Sequence, residues 1–124
     1  HLVRAGLESV AYQMVVYLEF MKKSRNLNLK NLSVDGGMVK NKFFLQLISN
    51  LLEIELNIPE MEDMSSYGAL LFGMQYYHNL KNTSDLKDFK VKSSKIIPNK
   101  DDTIRNSFNS WKEIVDKHFL KNQD

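Results

Sequence analysis

The 124-residue sequence predicts an α/β fold with parallel strands, on three observations. Segments with an apolar period near 3.6 alternate with short runs of strand character, in the order helix, strand, helix, strand, helix. Crossover through a helix makes successive strands parallel. Each strand-like run closes on a strong breaker, Gly36-Gly37 for the first and Pro59 for the second. A last amphipathic segment follows a polar stretch and adds a C-terminal helix. Two strands make a poor sheet. The rest of the sheet is therefore expected from polypeptide beyond this chain, which is read as a piece of something longer.

The elements follow in order. Val3, Leu7, Val10, Met14, Tyr17 and Met21 recur at steps of four and three, and Leu2, Ala11 and Leu18 widen the stripe. This predicts a first helix whose stripe faces a core, fading in the polar cluster 22–30. Residues 32–34 predict a short strand. A second helix is expected from Val39, with Phe44, Leu47, Ile48, Leu51 and Leu52 on one face. "IELNI", residues 54–58, alternates with period two and predicts the second strand. Asp63 or Ser65 can cap a third helix carrying Leu70, Leu71, Met74 and Tyr77. Gly68 and Gly73 lie within it, each costing about 1 kcal/mol relative to alanine, so close approach of a backbone or ligand is expected at Gly68, while Gly73 fits either such an approach or a merely tolerated glycine. Residues 81–100 read as a connector with at most a short extended piece. Asp101, Asp102 and Thr103 open a terminal helix over 101–121, with acids where the helix dipole favours them. Ile104, Phe108, Trp111, Val115 and Phe119 form its apolar face. Residues 1–124 are thus expected to form a single partial domain.

Composition narrows the function classes. Apolar content of 43% and charged content of 26% describe a globular chain. A net charge of +2 is too small to argue for nucleic acid or an anionic membrane. From Lys81 onward ten Lys and Arg stand against seven Asp and Glu, too diluted to track phosphates. No nucleic-acid partner is expected. There is no cysteine, hence no disulfide framework or thiolate metal site. No apolar run approaches the length of a membrane span and no secretory pattern opens the chain, so a cytoplasmic location is expected. His1, His78 and His118 are too scattered to pair as ligands, and no catalytic residue or metal site is assigned.

The stretch that invites chemistry is "VDGGMVKNK", residues 34–42. A strand ending in Gly-Gly and feeding a helix suits an anion. Glycine lets the backbone turn and leaves no Cβ in a ligand's way, and the first N–H groups of the helix point at it. Asn41, expected in the first turn of that helix, offers both a donor and an acceptor. The same junction also fits a plain tight turn, the commoner use of paired glycines. It is neither a Walker loop nor a full G-x-G-x-x-G fingerprint.

Three ordered blocks carry a resemblance. "HLVRAGLESVAYQ" at 1–13, "VDGGMVKNKFFLQLISNLL" at 34–52 and "SSYGALLFG" at 65–73 resemble successive parts of the C-terminal domain of the FGGY carbohydrate kinases, the glycerol kinase branch most of all. Trp111-Lys112 fits the tail of that domain more loosely. The resemblance implies an actin-like ATPase (ribonuclease H-like) fold and ATP-dependent phosphorylation of a polyol or sugar. It implies that Gly36 supports, and Gly37 forms, the turn against the nucleotide phosphates, and that Asn41 contacts the nucleotide. Met38 and Lys40 stand where that branch commonly has small residues, and Tyr67 replaces a leucine before Gly68. Met38 either packs against the adenine face or fills the core. The general base, the Mg²⁺-associated loops and most substrate contacts are expected outside this chain. ATP with Mg²⁺ is thus the implied cofactor, and the chain alone is expected to be inactive. The alternative is a non-catalytic relative that keeps the fold as a nucleotide- or partner-binding module. Apolar surface cut off from its cover is expected to make the chain a homo-oligomer.

Overall fold

The computed structural model describes residues 1–61, 63–86, 89 and 91–120, the last two of these by backbone only. Four helices and three strands follow in the order α1 (Leu2–Arg25), β1 (Asn31–Ser33), α2 (Lys42–Leu52), β2 (Glu55–Pro59), α3 (Met64–Tyr77), β3 (Ser93–Ile96) and α4 (Asp102–Val115). The strands form one sheet in the order β1-β2-β3. β1 and β2 are parallel, with Leu32 opposite Leu56, as a helical crossover requires.

β3 is the element that the pattern of residues 81–100 does not single out. It pairs antiparallel to β2, with Leu56 opposite Ile96. Its sequence, Ser-Ser-Lys-Ile, has no apolar alternation. Pairing comes from the free edge of β2 and from a cross-strand ion pair, Lys95 Nζ to Glu55 Oε1 at 2.8 Å.

The core is built on α2, whose predicted face is buried throughout: Phe44, Leu47, Ile48, Leu51 and Leu52. α2 packs against α1, α4, β2 and β3. Leu56 lies beneath it in the middle strand, and Phe108 of α4 closes the far side. Tyr12 of α1 sits among Phe108 and Trp111, with ring centroids 5.4 and 5.5 Å away. Burial there, helped by the Glu8 carboxylate, pushes the Tyr12 phenol above its ordinary pKa.

α1 corrects the sequence expectation. Of the expected stripe it buries Ala11 and packs Leu18 against the core, adding Tyr12 and Val15 from outside it, while Leu2, Val3, Val10, Met14, Tyr17 and Met21 are exposed. The helix is apolar on more than one side, and the face that meets α2 and α4 was chosen by their aromatic and aliphatic side chains. α3 differs more. Leu70, Leu71, Met74 and Tyr77 are not buried, and no residue of this helix is. A side chain added at Gly68 or Gly73 would meet nothing within 4 Å.

Side chains fix the ends of the elements. Asn26 ends α1 in the left-handed region (φ 49°), with its N–H and that of Leu27 turned back to carbonyls of the last turn. The buried Ser49 hydroxyl donates to Ile54 O at 2.8 Å. Arg105 ties α4 to the end of α2, donating to Leu51 O at 2.5 Å and to Glu53 Oε1 at 3.1 Å. Asp101 caps α4, accepting from the amides of Thr103 and Ile104. α4 ends at Val115, and Asp116–Leu120 continue as a wider π turn. The Phe119 side chain and residue 121, the expected end of this helix, lie outside the described residues.

Asp63 is the cap of α3. Its carboxylate accepts from Ser66 N–H at 2.9 Å and from Ser66 O–H at 2.5 Å. These bonds hold its pKa below the usual carboxylate value. A lowered native pKa means that the cap's stabilisation is complete above the unfolded-chain value and is lost as pH falls through the native one. The protection factors of the amides in the first turn of α3, taken relative to the intrinsic exchange rate at each pH, should therefore fall on acidification through that range. Asp63→Asn should flatten the dependence, and an unchanged profile in that variant would count against the assignment.

Candidate functional site

The parallel pairing of β1 and β2 brings their carboxyl ends together, and the loops that follow form one rim. β1's extended backbone runs one residue further, with Val34 N–H donating to Asn57 O at 3.0 Å. Asp35 then leads into Gly36, at φ 105° and ψ 179°. Side-chain-bearing residues do not rest in that region, so this turn requires glycine. Gly37 begins a single 3₁₀ turn, Gly37–Lys40, closed by Val39 N–H to Gly36 O at 3.1 Å and Asn41 N–H to Met38 O at 3.0 Å. Those bonds leave the Gly37 and Met38 amides unused by the turn, as at any helical start.

Two sequence expectations are corrected here. The helix does not start at Val39: the 3₁₀ turn intervenes and α2 begins at Lys42. Asn41 is therefore not in the first turn but is the residue that caps it. Its Oδ1 accepts from Phe44 N–H at 3.1 Å, which commits the acceptor to the helix and leaves the amide group to donate outward. The extra turn arises because Gly36 reverses the chain before any helical hydrogen bond can form, and Asn41 then supplies the first α-helical cap.

Gly37 differs from Gly36. Its φ is not positive, and a Cβ on it would meet no protein atom within 4 Å. Neither its conformation nor its neighbours in this chain require the missing side chain. Met38 beside it is 43% exposed and is not part of the core that this chain forms by itself.

Two clefts meet at this loop. One, of about 440 Å³, is lined by Asp35, Gly36, Gly37, Val39, Lys40, Pro59, Glu60 and Met61. Its second wall, Pro59 to Met61, was not picked out from sequence; the breaker that ends the second strand was the available signal, and only the parallel pairing brings it beside Gly36. The other cleft, about 740 Å³ and strongly apolar, runs from Gly37 and Met38 along β1 between α1 and α2. The loop thus offers backbone N–H groups where a cleft bearing Asp35, Lys40 and Glu60 meets a strongly apolar one. Among the described residues no group of three or more His, Cys, Asp or Glu is placed to hold a metal ion, and no helix is long and apolar enough to cross a membrane.

Residues 1–76 match the model of the FGGY family of carbohydrate kinases, C-terminal domain. Glycerol kinase of Francisella tularensis subsp. holarctica (strain FTNF002-00 / FTA) is 33% identical over 118 residues, covering 94% of this chain and 24% of the relative. That of F. tularensis subsp. novicida (strain U112) is 32% identical over the same length. The fold matches a crystal structure of Plasmodium falciparum glycerol kinase with ADP at a TM-score of 0.78 and 22% identity, over 94% of this chain and 24% of that one. The chain therefore spans about a quarter of the length of these relatives. Its helices and mixed sheet have the actin-like ATPase fold of a glycerol kinase C-terminal domain, and the chain belongs to the FGGY family of carbohydrate kinases.

Proposed function

We propose that this chain is one partial domain supplying the adenosine and phosphate side of the ATP site in a cytoplasmic, glycerol kinase-like enzyme. The observation that carries the reading is the Gly36-Gly37 turn at the joint end of two parallel strands. Its second glycine has no conformational or packing need within the chain, which is what a closely approaching phosphate would demand. In this reading Gly37 and Met38 N–H face the phosphates, Gly36 holds the turn, and Asn41 donates from its amide nitrogen to the nucleoside. Met38 lies against the adenine. The ADP of the P. falciparum relative supports a nucleotide as the ligand.

Phosphoryl transfer depends on positioning and on charge neutralisation by several elements at once. Among the described residues no three His, Cys, Asp or Glu stand together to hold a metal ion; in this reading the Mg²⁺ ligands, the general base and the contacts to a polyol or sugar belong to the rest of the enzyme. This chain's own contribution is to fix the nucleotide. In isolation it self-associates through α3, whose exposed Leu70, Phe72, Tyr76 and Tyr77 lie on a helix without a charged residue.

Two measurements test this. Titrating Mg·ADP into the chain to millimolar concentration should shift the amide resonances of Gly36 to Asn41 before any others. Glycerol phosphorylation by the chain alone should stay at background. Resonances that do not move would sink the nucleotide site, and turnover well above background would sink its restriction to one wall.

A further inference from the structure

Between α1, α2 and the start of α4 lies a cavity of about 240 Å³ that shares no residue with the two clefts at the Gly36 loop. Tyr12 is its unusual member. It is 5% exposed, with its ring held among Phe108 and Trp111, yet among the described residues its hydroxyl has no hydrogen-bond partner. A buried phenol ordinarily finds one. Among the described residues every fully enclosed side-chain oxygen or nitrogen is paired, so the Tyr12 hydroxyl is not sealed in. It opens on the cavity that Tyr12 lines. The groups around it show what would complete it. Glu8 Oε1 accepts from Arg4 Nε at 2.8 Å, and Asp101 Oδ1 takes both cap bonds of α4. Among the described residues the second oxygen of each carboxylate is left uncommitted. The Ser107 hydroxyl donates to Thr103 O at 3.0 Å and so can only accept from a ligand. The guanidinium of Arg4 is engaged by Glu8 and by the Phe43 ring, 5.3 Å from its centroid.

We propose that this cavity is a binding site for a small primary amine, its ammonium group taken by Tyr12, Glu8 and Asp101 and its aliphatic stem laid along Phe43, Leu47 and Ile104. Charge and size select this chemistry. Two carboxylates stand against one guanidinium, so the cavity carries a net negative charge. The first amides of α4, which would otherwise favour an anion, are already taken by Asp101. Burial and the Glu8 carboxylate raise the Tyr12 pKa, so the phenol stays neutral and offers its oxygen as an acceptor. The volume equals that of about eight water molecules at roughly 30 Å³ each, below the ~300–1,000 Å³ of sites for drug-sized molecules. The cavity therefore admits a short amine and excludes a nucleotide. It does not rest on the kinase reading above.

The test follows the amide resonances of the chain while n-butylamine is added at fixed pH and ionic strength. Butanol and butyrate serve as neutral and anionic probes with a similar stem. Saturable shifts at Glu8, Tyr12, Phe43 and Thr103 are expected with the amine. Its affinity should exceed that of butanol by about tenfold or more, the worth of a hydrogen bond to a charged group. Butyrate should not saturate. Tyr12→Phe removes only the hydroxyl, which no group of the described residues holds. It should weaken the amine about tenfold with the unfolding midpoint unchanged, whereas a merely structural tyrosine would leave binding as it was. Asp101→Asn keeps a helix cap and drops one charge, so it should weaken the amine comparably and provides the same test should Tyr12→Phe fail to fold. The proposal is overturned by the absence of saturable shifts, by butanol or butyrate binding as tightly as the amine, or by wild-type affinity in either variant. Shifts that appear only at Gly36 to Asn41 would overturn it as well. None of these readouts involves nucleotide, so loss of ADP binding with the amine site intact would count against the ATP-site reading alone.

Discussion

Leu56→Ala is expected to cost about 2–5 kcal/mol, the range for truncating a fully buried leucine in a core that cannot collapse around the void. Leu56 is 0% exposed and occupies the middle of the middle strand, paired with Leu32 on one side and Ile96 on the other, with α2 across its face. Both neighbouring strands are short, so neither can close the gap without giving up ladder bonds. With an m-value of about 1–3 kcal/mol/M, a loss of this size moves a urea midpoint by roughly 1 M or more. Against a total stability of about 5–15 kcal/mol for an ordinary domain, it would leave little margin. Met14→Ala is the informative companion. From sequence periodicity Met14 belongs to the core stripe and its truncation would cost as much as that of Leu56. In the structure it is half-exposed in an open cleft, and the cost in this chain should stay within about 0.5 kcal/mol. Equal losses in the two variants would restore the sequence reading of α1.

Gly36→Ala and Gly37→Ala are expected to separate the two demands placed on the glycine pair. At Gly36 the backbone sits at φ 105°, where a Cβ is strained whatever the space around it. The substitution should lower stability by about 1–3 kcal/mol and shift the turn that leads to Asn41. At Gly37 the backbone is ordinary and the space is open, so stability should change by no more than about 0.5 kcal/mol. Binding of ADP should nevertheless fall at least tenfold, because in the proposed site the new methyl group stands where the phosphates would approach. Thermal unfolding and an ADP titration on both variants read these effects separately. A Gly37→Ala chain that binds ADP as the wild type does would remove the main support for the phosphate site.

The sequence alone carried much of the fold where one side of an element is apolar and the other is not. α2 is the clearest case: a single apolar face made its burial legible residue by residue. The ends of elements were also legible, because capping and breaking are local chemistry. Asp63, Asp101, Gly36 and Pro59 act within a few residues of themselves. The Gly-Gly pair was readable as a turn for the same reason, and the three ordered blocks pointed to the kinase family.

Only the tertiary structure decided what depends on residues distant in sequence. α1 is apolar on two sides, and periodicity cannot say which side meets α2 and α4. The aromatic cluster of Tyr12, Phe108 and Trp111 made that choice. β3 has no strand pattern of its own and exists because β2 offers an edge and Glu55 a partner for Lys95. Asn41 was visible as a polar side chain near a helix start, but its use as the cap of α2 followed from the extra turn that Gly36 forces. The wall at Pro59 to Met61 joined the site only through parallel pairing of two strands more than twenty residues apart. Local hydrogen bonding and periodicity are written in adjacent residues. The choice of face, edge and neighbour is a competition among distant surfaces, settled by which arrangement buries the most apolar area with its polar groups satisfied.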